Sequence, residues 1–317
     1  MRKFIIDTDT GSDDAVALMI AVLSPEVEVL GVTTVCGNVP LDKATRNALM
    51  TLEICSREDI EVHPGLDRPM LRDPVTAVNV HGEDGMGDLG LIHPKKAPAS
   101  IHAVDYLLEQ ARKHPGELEL VMLGPATNVA AAILRDRAAM AGIRHIWSMG
   151  TGGFGPGNTT PVAEFNVYED AESYRVLVES GIPLTVIGFD LCIGSAAWNQ
   201  GDMERIAASG PVGRFAVDCN RSLLAYNIRR GEAPMVDLPD AVAMAVALWP
   251  EVTLRSRECG CHCCTNNDRC YGQVIFYDPT QELAAYTDDI PEDKAEVILR
   301  IDEALYKSRL EALLSGK

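Results

Sequence analysis

The chain has 317 residues, of which 47% are hydrophobic, enough to build one large globular domain with a substantial core. Its formal net charge of −18 disfavours binding to a nucleic-acid backbone or to an anionic membrane surface. No apolar run reaches the length of a membrane span. We therefore expect neither nucleic acid nor a membrane as a partner.

Predicted strands alternate with predicted helices along the chain, which is typical of a mostly parallel sheet. The sequence predicts an α/β fold with an open, mostly parallel Rossmann-like sheet flanked by helices, and an active site at the carboxyl ends of the strands. The predicted strands cover residues 2–7, 27–35, 118–123, 144–149, 184–188, 252–257 and 273–277. The first predicted helix begins at Asp13. The other predicted helices cover residues 41–54, 101–113, 126–134, 170–180, 202–230, 240–248 and 292–314. No repeat or low-complexity linker interrupts the pattern, so residues 1–317 are predicted to form a single domain.

An acidic loop follows the first predicted strand, with Asp7, Asp9, Asp13 and Asp14 inside eight residues. Crowded carboxylates repel one another and take up protons unless a cation neutralises them. Ligands that are all oxygen suit a hard ion such as Ca²⁺ or Mg²⁺. The loop therefore predicts a metal site, although a solvated acidic turn that caps the next helix remains an alternative.

The acidic loop also has features of an EF-hand and of a phosphoaspartyl phosphatase. An EF-hand requires Gly at the sixth position and Glu at the twelfth, where this chain has Ser12 and Leu18. A magnesium-dependent phosphoaspartyl phosphatase fits Ile-Ile-Asp-Thr-Asp-Thr, with Asp7 as nucleophile, but a convincing distal acidic motif is missing. The second interpretation stays open as an alternative enzyme class.

Further loops with glycine or asparagine follow other predicted strands. They are Cys36-Gly37-Asn38, Gly124-Pro125-Ala126-Thr127-Asn128 and Met149-Gly150-Thr151-Gly152-Gly153. Right-handed crossovers bring the carboxyl ends of parallel strands to one edge of the sheet. We therefore expect these loops and the acidic loop to share one pocket.

An ordered set of motifs resembles the nucleoside hydrolase family, the inosine–uridine-preferring N-ribohydrolases. The first motif is Asp7-Thr8-Asp9-Thr10-Gly11-Ser12-Asp13-Asp14-Ala15. The others are Gly37-Asn38 with Thr45-Arg46-Asn47-Ala48, His81-Gly82-Glu83-Asp84-Gly85, Gly124-Pro125-Ala126-Thr127-Asn128-Val129-Ala130, Gly157-Asn158 with Val162-Ala163-Glu164-Phe165-Asn166, and Asp240-Ala241-Val242-Ala243. The resemblance covers nearly the whole chain.

The resemblance implies a calcium-dependent enzyme that hydrolyses the N-glycosidic bond of ribonucleosides to free base and ribose. It implies that Asp9, Asp14, the carbonyl of Thr127 and Asp240 hold a tightly bound Ca²⁺. Asp9 would also be the general base for the attacking water. The implied substrate contacts are Asp13 and Asn166 at the 2′- and 3′-hydroxyls, Asn158 and Glu164 at the 5′-hydroxyl, with Asn38 and Met149 also in the pocket.

One departure from the family pattern concerns the leaving base. Many relatives carry His immediately before the last calcium aspartate, where this chain has Pro239. Proline has no proton to donate, so another group must contact the base. The candidates are His81 as an acid, Tyr226 as an acid or stacking group, and Phe154 as a stacking wall. A ribose- or nucleoside-binding protein with impaired catalysis is a further hypothesis.

A cysteine-rich segment, residues 258–272, is the second departure. It holds five cysteines and is expected to be an insertion or hairpin loop away from the calcium site. One interpretation is a zinc site with Cys261, Cys264, Cys270 and either Cys259 or His262 as ligands. Reduced, metal-free thiols and redox regulation are the other interpretations.

The expected location and assembly follow from weaker indications. Nine cysteines without a secretory signal indicate a reducing, cytoplasmic environment. The expected partner is a small ribonucleoside, and the family resemblance implies a homo-oligomer, either a dimer or a tetramer.

Overall fold

The computed structural model describes residues 1–90, 93–266, 268–278, 280 and 293–316. Its strands are β1 (Arg2–Thr8), β2 (Val27–Thr34), β3 (Val62–Pro64), β4 (Leu118–Met122), β5 (His145–Met149), β6 (Leu184–Ile187), β7 (Thr253–Cys263), β8 (Val274–Tyr277) and β9 (Lys294–Ile301). All nine belong to one sheet in the order β3-β2-β1-β4-β5-β6-β9-β7-β8. The pairs from β3 to β9 are parallel, whereas β7 runs antiparallel to both β9 and β8.

Helices cover both faces of this sheet. They are α1 (Ser12–Leu23), α2 (Leu41–Ile54), α3 (Val78–His81), α4 (Ala103–Lys113), α5 (Thr127–Arg135), α6 (Arg137–Met140), α7 (Phe165–Glu169), α8 (Ala171–Val178), α9 (Gln200–Ala208), α10 (Pro211–Asp218), α11 (Arg221–Arg229), α12 (Pro239–Leu248) and α13 (Glu303–Leu314). The predicted α/β class with a mostly parallel sheet is confirmed.

The alternation of side chains along β1 divides the core into two layers. Phe4 and Ile6 pack into the cluster that includes α1, α2 and α12, whereas Ile5 packs into the cluster of α4, α5 and α8. Successive side chains of a strand point to opposite faces, so a strand covered on both faces is apolar throughout. Helices α1 and α12 are apolar on all sides after their first turn, which matches their burial inside one layer.

Several predicted elements differ from the structure. The predicted helix 292–314 is wrong in its first part, because residues 294–301 form β9 between β6 and β7; residue 292 lies outside the described residues. The predicted helical stretch 202–230 is divided into α9, α10 and α11, and the second of these begins with Pro211. The strand predicted over 252–257 continues to Cys263, so the first half of the cysteine-rich segment is sheet.

In the part of the chain that the structure describes, no helix combines the length and the apolar character needed to cross a bilayer.

Candidate active site

A cavity of about 560 Å³ opens at the carboxyl ends of the central strands. Loops after β2, β4 and β5 contribute to it, as do the first residues of α1, α7 and α12. Of the residues predicted for the site, the cavity is lined by Asp13, Asn38, His81, Met149, Asn158, Glu164, Asn166, Tyr226 and Asp240. Loops that are far apart in sequence thus converge on one pocket.

Three carboxylates form the acidic centre of this cavity. Oxygens of Asp13, Asp14 and Asp240 lie within 4.8 Å of one another, and all three residues are buried. Asp13 and Asp14 belong to the first turn of α1, and Asp240 to the first turn of α12. Burial, followed by the charges of its neighbours, raises the pKa of Asp240 well above its ordinary value. Negative charge beside two helix N-termini is partly stabilised by the helix dipoles.

Asp9 lies in the turn between β1 and α1, in a space left open by two glycines. Its Oδ2 accepts a hydrogen bond of 2.6 Å from the backbone N–H of Asn38. A Cβ atom at Gly37 would lie 2.1 Å from Asp9 Oδ2, and one at Gly124 would lie 2.7 Å from Asp9 Oδ1. Both positions therefore require glycine for the carboxylate to occupy its place.

The acidic residues present fit a hard divalent cation. The Oδ1 atoms of Asp9 and Asp13 are buried without a hydrogen-bond partner, which is costly for a carboxylate that has no counter-charge. Burial, followed by the charge of Asp14, raises the pKa of Asp9 well above its ordinary value. Burial raises the pKa of Asp13 to about 6. A divalent cation would give the unpartnered oxygens a ligand and would offset the free-energy cost of burying charged carboxylates. Calcium and magnesium favour oxygen ligands, whereas zinc favours nitrogen and sulfur.

Asp14 is the most firmly held of these carboxylates. It accepts hydrogen bonds from Thr8 Oγ1 at 2.5 Å, from the Gly11 N–H at 2.8 Å and from Asn38 Nδ2 at 3.1 Å. Asn38 therefore holds both Asp9, through its backbone, and Asp14, through its side chain. This bridging role of Asn38 was not predicted from the sequence, which placed it only among the substrate contacts.

Thr127 begins α5 and is held by a buried aspartate. Its Oγ1 donates a 2.7 Å hydrogen bond to Asp170 Oδ2, which also accepts the Met70 N–H at 3.1 Å. Asp170 Oδ1 caps α8 by accepting the Ser173 N–H at 3.1 Å. Asp170 thus fixes the start of α5, where the carbonyl predicted to bind the cation is located.

Asp7 is a structural residue of the sheet. Its Oδ1 accepts hydrogen bonds from Thr33 Oγ1 at 2.5 Å and from Asn128 Nδ2 at 2.9 Å. It is fully buried and does not line the cavity. Asp9, Asp14 and Thr127 are likewise buried and absent from the lining, so burial alone does not distinguish Asp7 from them. What distinguishes Asp7 is that its Oδ1 joins β2 and α5 through Thr33 and Asn128, which gives it a structural role.

The opposite wall of the cavity comes from the start of α7. Glu164 caps this helix and accepts the N–H groups of Asn166 and of Thr151, the latter at 3.2 Å, and burial raises its pKa to about 7. Asn166 Nδ2 donates to the Leu123 carbonyl at 2.5 Å. Asn158 is exposed at the rim, where its Oδ1 accepts the Phe165 N–H at 2.9 Å.

His81 ends α3 and contacts the start of α1. The Ser12 N–H donates to its Nδ1 at 3.4 Å, and Ser12 Oγ lies 3.0 Å from the same atom. Burial lowers the pKa of His81 to about 4. The ring is therefore neutral at pH 7, and because Nδ1 accepts, its proton is carried by Nε2.

Tyr226 on α11 lines the cavity, and its hydroxyl accepts a hydrogen bond from Arg230 Nη1 at 3.2 Å. Phe154 was expected in the same region, but the structure places it outside the cavity lining. It is 57% exposed, with its ring 5.6 Å from that of Phe276. In this structure Phe154 therefore does not contribute to the cavity wall.

Several lining residues were missed by sequence reasoning. They include Phe165, Phe189, Leu223, Asn227, Arg230, Glu232 and Asp237. Phe165 lies in the motif Val162-Ala163-Glu164-Phe165-Asn166, and the predicted roles of Glu164 and Asn166 on either side could have pointed to it as a pocket residue. Most of the others follow no predicted strand and carry no local motif, so only the packing of α11 and its following loop reveals them.

The predicted zinc site is not formed by the described residues. Cys259, Cys261 and Cys263 are buried along β7, where alternate residues lie about 6.7 Å apart. Zinc holds its sulfur ligands at about 2.3 Å, so ligand sulfurs must lie within about 4 Å of one another. Among the described residues, the aspartate cluster is the group of three that could hold a metal.

The sheet and its acidic cavity define an α/β enzyme whose pocket suits a small polar substrate. The profile of the inosine-uridine preferring nucleoside hydrolase family matches residues 4–308, nearly the whole chain. The chain belongs to this family and is a hydrolase of the N-glycosidase type. The resemblance seen in the sequence motifs is confirmed.

Named relatives and solved structures agree with this assignment. The pyrimidine-specific ribonucleoside hydrolase RihB of Escherichia coli is 34% identical over 277 residues, covering 86% of this chain and 87% of the relative. The structure of the plant nucleoside hydrolase PpNRh1 has a TM-score of 0.92 and 30% identity, covering 100% of this chain and 99% of that one. The purine-preferring ribonucleoside hydrolase from Gardnerella vaginalis has a TM-score of 0.89 and 26% identity, covering 99% and 98%.

Proposed function

We propose that this protein hydrolyses the N-glycosidic bond of ribonucleosides in a calcium-dependent reaction, releasing free base and ribose. The observation that carries the proposal is the group of buried carboxylates with unpartnered oxygens at one end of a substrate-sized cavity. The names of the relatives, which include pyrimidine-specific and purine-preferring ribonucleoside hydrolases, support the substrate class.

The proposed ligands of the cation are Asp9, Asp14, Asp240 and the main-chain carbonyl of Thr127. Asp13 has a carboxylate oxygen within 4.8 Å of those of Asp14 and Asp240 and adds to the negative charge. When bound, Ca²⁺ supplies Lewis acidity, which lowers the pKa of water and favours oxygen contacts to ribose hydroxyls. The raised pKa values of Asp240 and Asp9 would fall beside a cation, leaving both carboxylates ionised.

Asp9 is the proposed general base. Its Oδ1 is buried and unpartnered, while its Oδ2 is held by the Asn38 N–H. One oxygen is thus fixed and the other is available to take a proton from the attacking water. Because water attacks the anomeric carbon directly, no covalent enzyme intermediate is required.

The ribose is proposed to lie between the two acidic walls of the cavity. Asp13 and Asn166 would hold the 2′- and 3′-hydroxyls, and Asn158 and Glu164 the 5′-hydroxyl, with Asn38 and Met149 completing the pocket. Positive charge develops on the ribose ring as the bond to the base breaks. Surrounding carboxylates stabilise that charge more strongly than they stabilise the neutral substrate, which accelerates the reaction.

The leaving base is proposed to contact His81 and Tyr226. Neutral His81 carries its proton on Nε2, and the Tyr226 hydroxyl accepts from Arg230 and so keeps its own proton for donation. Pro239 lines the same cavity but has no proton to give. Hydrogen bonds from His81 and Tyr226 would stabilise the negative charge that develops on the departing base.

A cytoplasmic location and a homo-oligomeric state complete the proposal. All nine cysteines are free thiols, and free thiols persist in a reducing compartment. The homo-oligomer, a dimer or tetramer, rests on the family resemblance. Light scattering on the purified protein measures it, and a monomer at micromolar concentration would contradict it.

The function is tested by measuring reducing sugar released from a panel of purine and pyrimidine ribonucleosides, with and without prolonged calcium chelation. Release that chelation abolishes and Ca²⁺ restores supports the proposal. Calcium-dependent ribose binding without release from the whole panel would indicate a binding protein instead. Phosphate release from phosphate esters that needs Mg²⁺ would indicate the phosphatase alternative.

A further inference from the structure

Two cysteines on the connection between β7 and β8 play no part in the proposed reaction. Cys264 follows β7 directly, and its carbonyl accepts the Gly272 N–H at 2.9 Å. Its own N–H donates to the Gln273 carbonyl at 2.9 Å, and the Gln273 N–H donates to the Cys270 carbonyl at 2.9 Å. These backbone bonds hold both cysteines on one small, closed connection.

The two cysteines are held close together, because the Cys264 N–H and the Cys270 carbonyl both bond to the same residue, Gln273. The Cys270 thiol is near enough to raise the pKa of the Cys264 thiol. Both residues are partly exposed, whereas the other seven cysteines are buried. Oxidants dissolved in water therefore reach this pair before any other thiol of the chain.

We propose that Cys264 and Cys270 form an oxidation site, at which a peroxide or a small disulfide converts the two thiols into an intrachain disulfide. With hydrogen peroxide, one thiolate becomes a sulfenic acid and peroxide is reduced to water. The second thiol then displaces the hydroxyl group as another water. With oxidised glutathione, two exchange steps form the same S–S bond and release two reduced glutathione molecules.

The surroundings determine how readily the pair reacts. Burial, and then the neighbouring Cys270 thiol, raise the pKa of Cys264, while the positive charge of Arg175 acts in the opposite direction. A raised pKa leaves little thiolate at pH 7 and more at pH 9. The oxidation is therefore expected to be faster at the higher pH.

The connection packs against α7, whose first residues line the substrate cavity, and against the start of α8. A Cβ atom at Gly272 would lie 3.0 Å from Tyr168 Cα in α7, so the backbones are nearly in contact. The Tyr271 hydroxyl accepts the Ala171 N–H at 3.2 Å and donates to Glu172 at the start of α8. Because α7 starts between Glu164 and Asn166, cross-linking the connection would restrain one wall of the site.

The first experiment treats the full-length, reduced protein with hydrogen peroxide or oxidised glutathione at pH 7 and pH 9, followed by peptide mapping without reduction. The expected result is one cross-linked species joining Cys264 to Cys270, two hydrogens lighter than the reduced form and reversed by a thiol reductant. The Cys264→Ser and Cys270→Ser variants should not give it, whereas Cys55→Ser, which removes a buried cysteine of another region, should.

The proposal is overturned if both thiols are still free after treatment, or if either is recovered bonded to a different cysteine. Mapping of the wild-type protein alone gives this answer, so it stands even if a serine variant fails to fold. It also needs no enzymatic activity.

A second measurement tests the contact with α7 and rests on the proposed function. The oxidised protein should show a severalfold change in KM for its best ribonucleoside, which Cys264→Ser should not show after the same treatment. An unchanged KM in a fully cross-linked sample would overturn the coupling to the site. Absence of ribose release from reduced and oxidised samples alike would instead contradict the proposed function.

Discussion

At the scale of single residues, the arrangement around Asp9 explains why the acidic loop needs partners far away in sequence. Gly37 and Gly124 follow two different strands, and both give space to the same carboxylate. The four aspartates could be predicted from the sequence because they lie together in one short segment. The two glycines were visible in motifs, but their purpose depends on packing across strands β1, β2 and β4.

Replacing Asp9 by Asn should preserve the fold and nearly abolish catalysis. The amide oxygen can still accept the Asn38 N–H, but an amide cannot take a proton from water. We expect kcat to fall by roughly 10²–10⁴-fold, the usual contribution of a general base. Ribose release at saturating substrate measures this, with thermal melting as the control for folding. Turnover equal to that of the wild type would refute the role of Asp9.

Replacing Gly37 by Ala should displace the Asp9 carboxylate. The new methyl group would lie 2.1 Å from Asp9 Oδ2, so side chain or backbone must move, at a cost of about 1–3 kcal/mol in stability. We expect a lower melting temperature and at least a tenfold loss of kcat/KM, because a small misplacement of a catalytic group is costly.

The matched control for this change is Gly201→Ala in the first turn of α9, where the nearest heavy atom would be Oδ1 of the helix-capping Asn199 at 3.3 Å, so a shift of a few tenths of an ångström is enough. Alanine within a helix is favoured over glycine by about 0.5–1 kcal/mol, so this variant should keep its stability and its activity. If Gly37→Ala behaves like Gly201→Ala, the close approach at Asp9 has no functional importance.

At the scale of elements, the late part of the chain shows where sequence patterns become ambiguous. In β9, residues Ala295, Val297, Ile298 and Ile301 are buried, a spacing that a helix would also satisfy. The strand is recognisable only through its partners β6 and β7, which lie elsewhere in the sequence. For the same reason the sequence predicts a loop where Cys259, Cys261 and Cys263 lie in β7. Helix and strand starts near the acidic loop were predictable because capping residues and apolar runs are local.

Asp170 links three elements, α5, α8 and the segment around Met70, and should therefore influence metal binding without touching the metal. Asp170→Ala removes the acceptor of the Thr127 hydroxyl and the cap of α8. We expect a lower melting temperature and a roughly 10–100-fold weaker calcium affinity, typical of losing a group that positions a ligand. Calorimetric titration of the metal-free protein with Ca²⁺ measures this change.

Asp136→Ala is the control for Asp170→Ala, because Asp136 caps α6 by accepting the Ala139 N–H and lies outside the cavity lining. It should lose about 1 kcal/mol of stability, the usual value of a helix cap, and keep its calcium affinity. Equal calcium affinity in both variants would show that Asp170 is only a helix cap.

At the scale of the whole molecule, the buried carboxyl groups make stability depend on pH. Burial raises the pKa of Glu169 from 4.5 to about 7, and that of Glu164 likewise. Between these values the folded state binds more protons than the unfolded state, so stability falls as pH rises. The contribution of each group to the free energy of unfolding is lost by the time the pH exceeds 7, and it amounts to at most roughly 3 kcal/mol.

Glu169→Gln should flatten this pH dependence. The Val75 N–H donates to Glu169 Oε2 at 2.9 Å, and the amide oxygen of glutamine can accept in its place without titrating. The free energy of unfolding of the metal-free variant, measured by urea between pH 4.5 and pH 7.5, should decline less than that of the wild type. Glu109→Gln, at an exposed residue of α4, serves as the control and should follow the wild-type curve. Identical slopes in all three proteins would show that Glu169 ionises normally.

The charge of the cavity should also limit which substrates enter it. Its described lining includes five carboxylates, those of Asp13, Glu164, Glu232, Asp237 and Asp240, and one guanidinium, that of Arg230. On the proposed function, a phosphate on the 5′-oxygen would lie near Glu164 and meet like charge. Ribose phosphate release from a nucleoside 5′-monophosphate should be at least 10²-fold slower than ribose release from the parent nucleoside, and comparable rates would contradict this.

The acidic lining would therefore affect which cellular compounds are cleaved, in addition to binding the cation. Phosphorylated nucleosides carry energy and serve nucleic-acid synthesis, and an enzyme that cleaved them would drain that supply. A pocket that repels the phosphate would confine cleavage to nucleosides that carry none. The carboxylates that are proposed to hold the metal would then also protect the nucleotide pool, with no separate regulatory device.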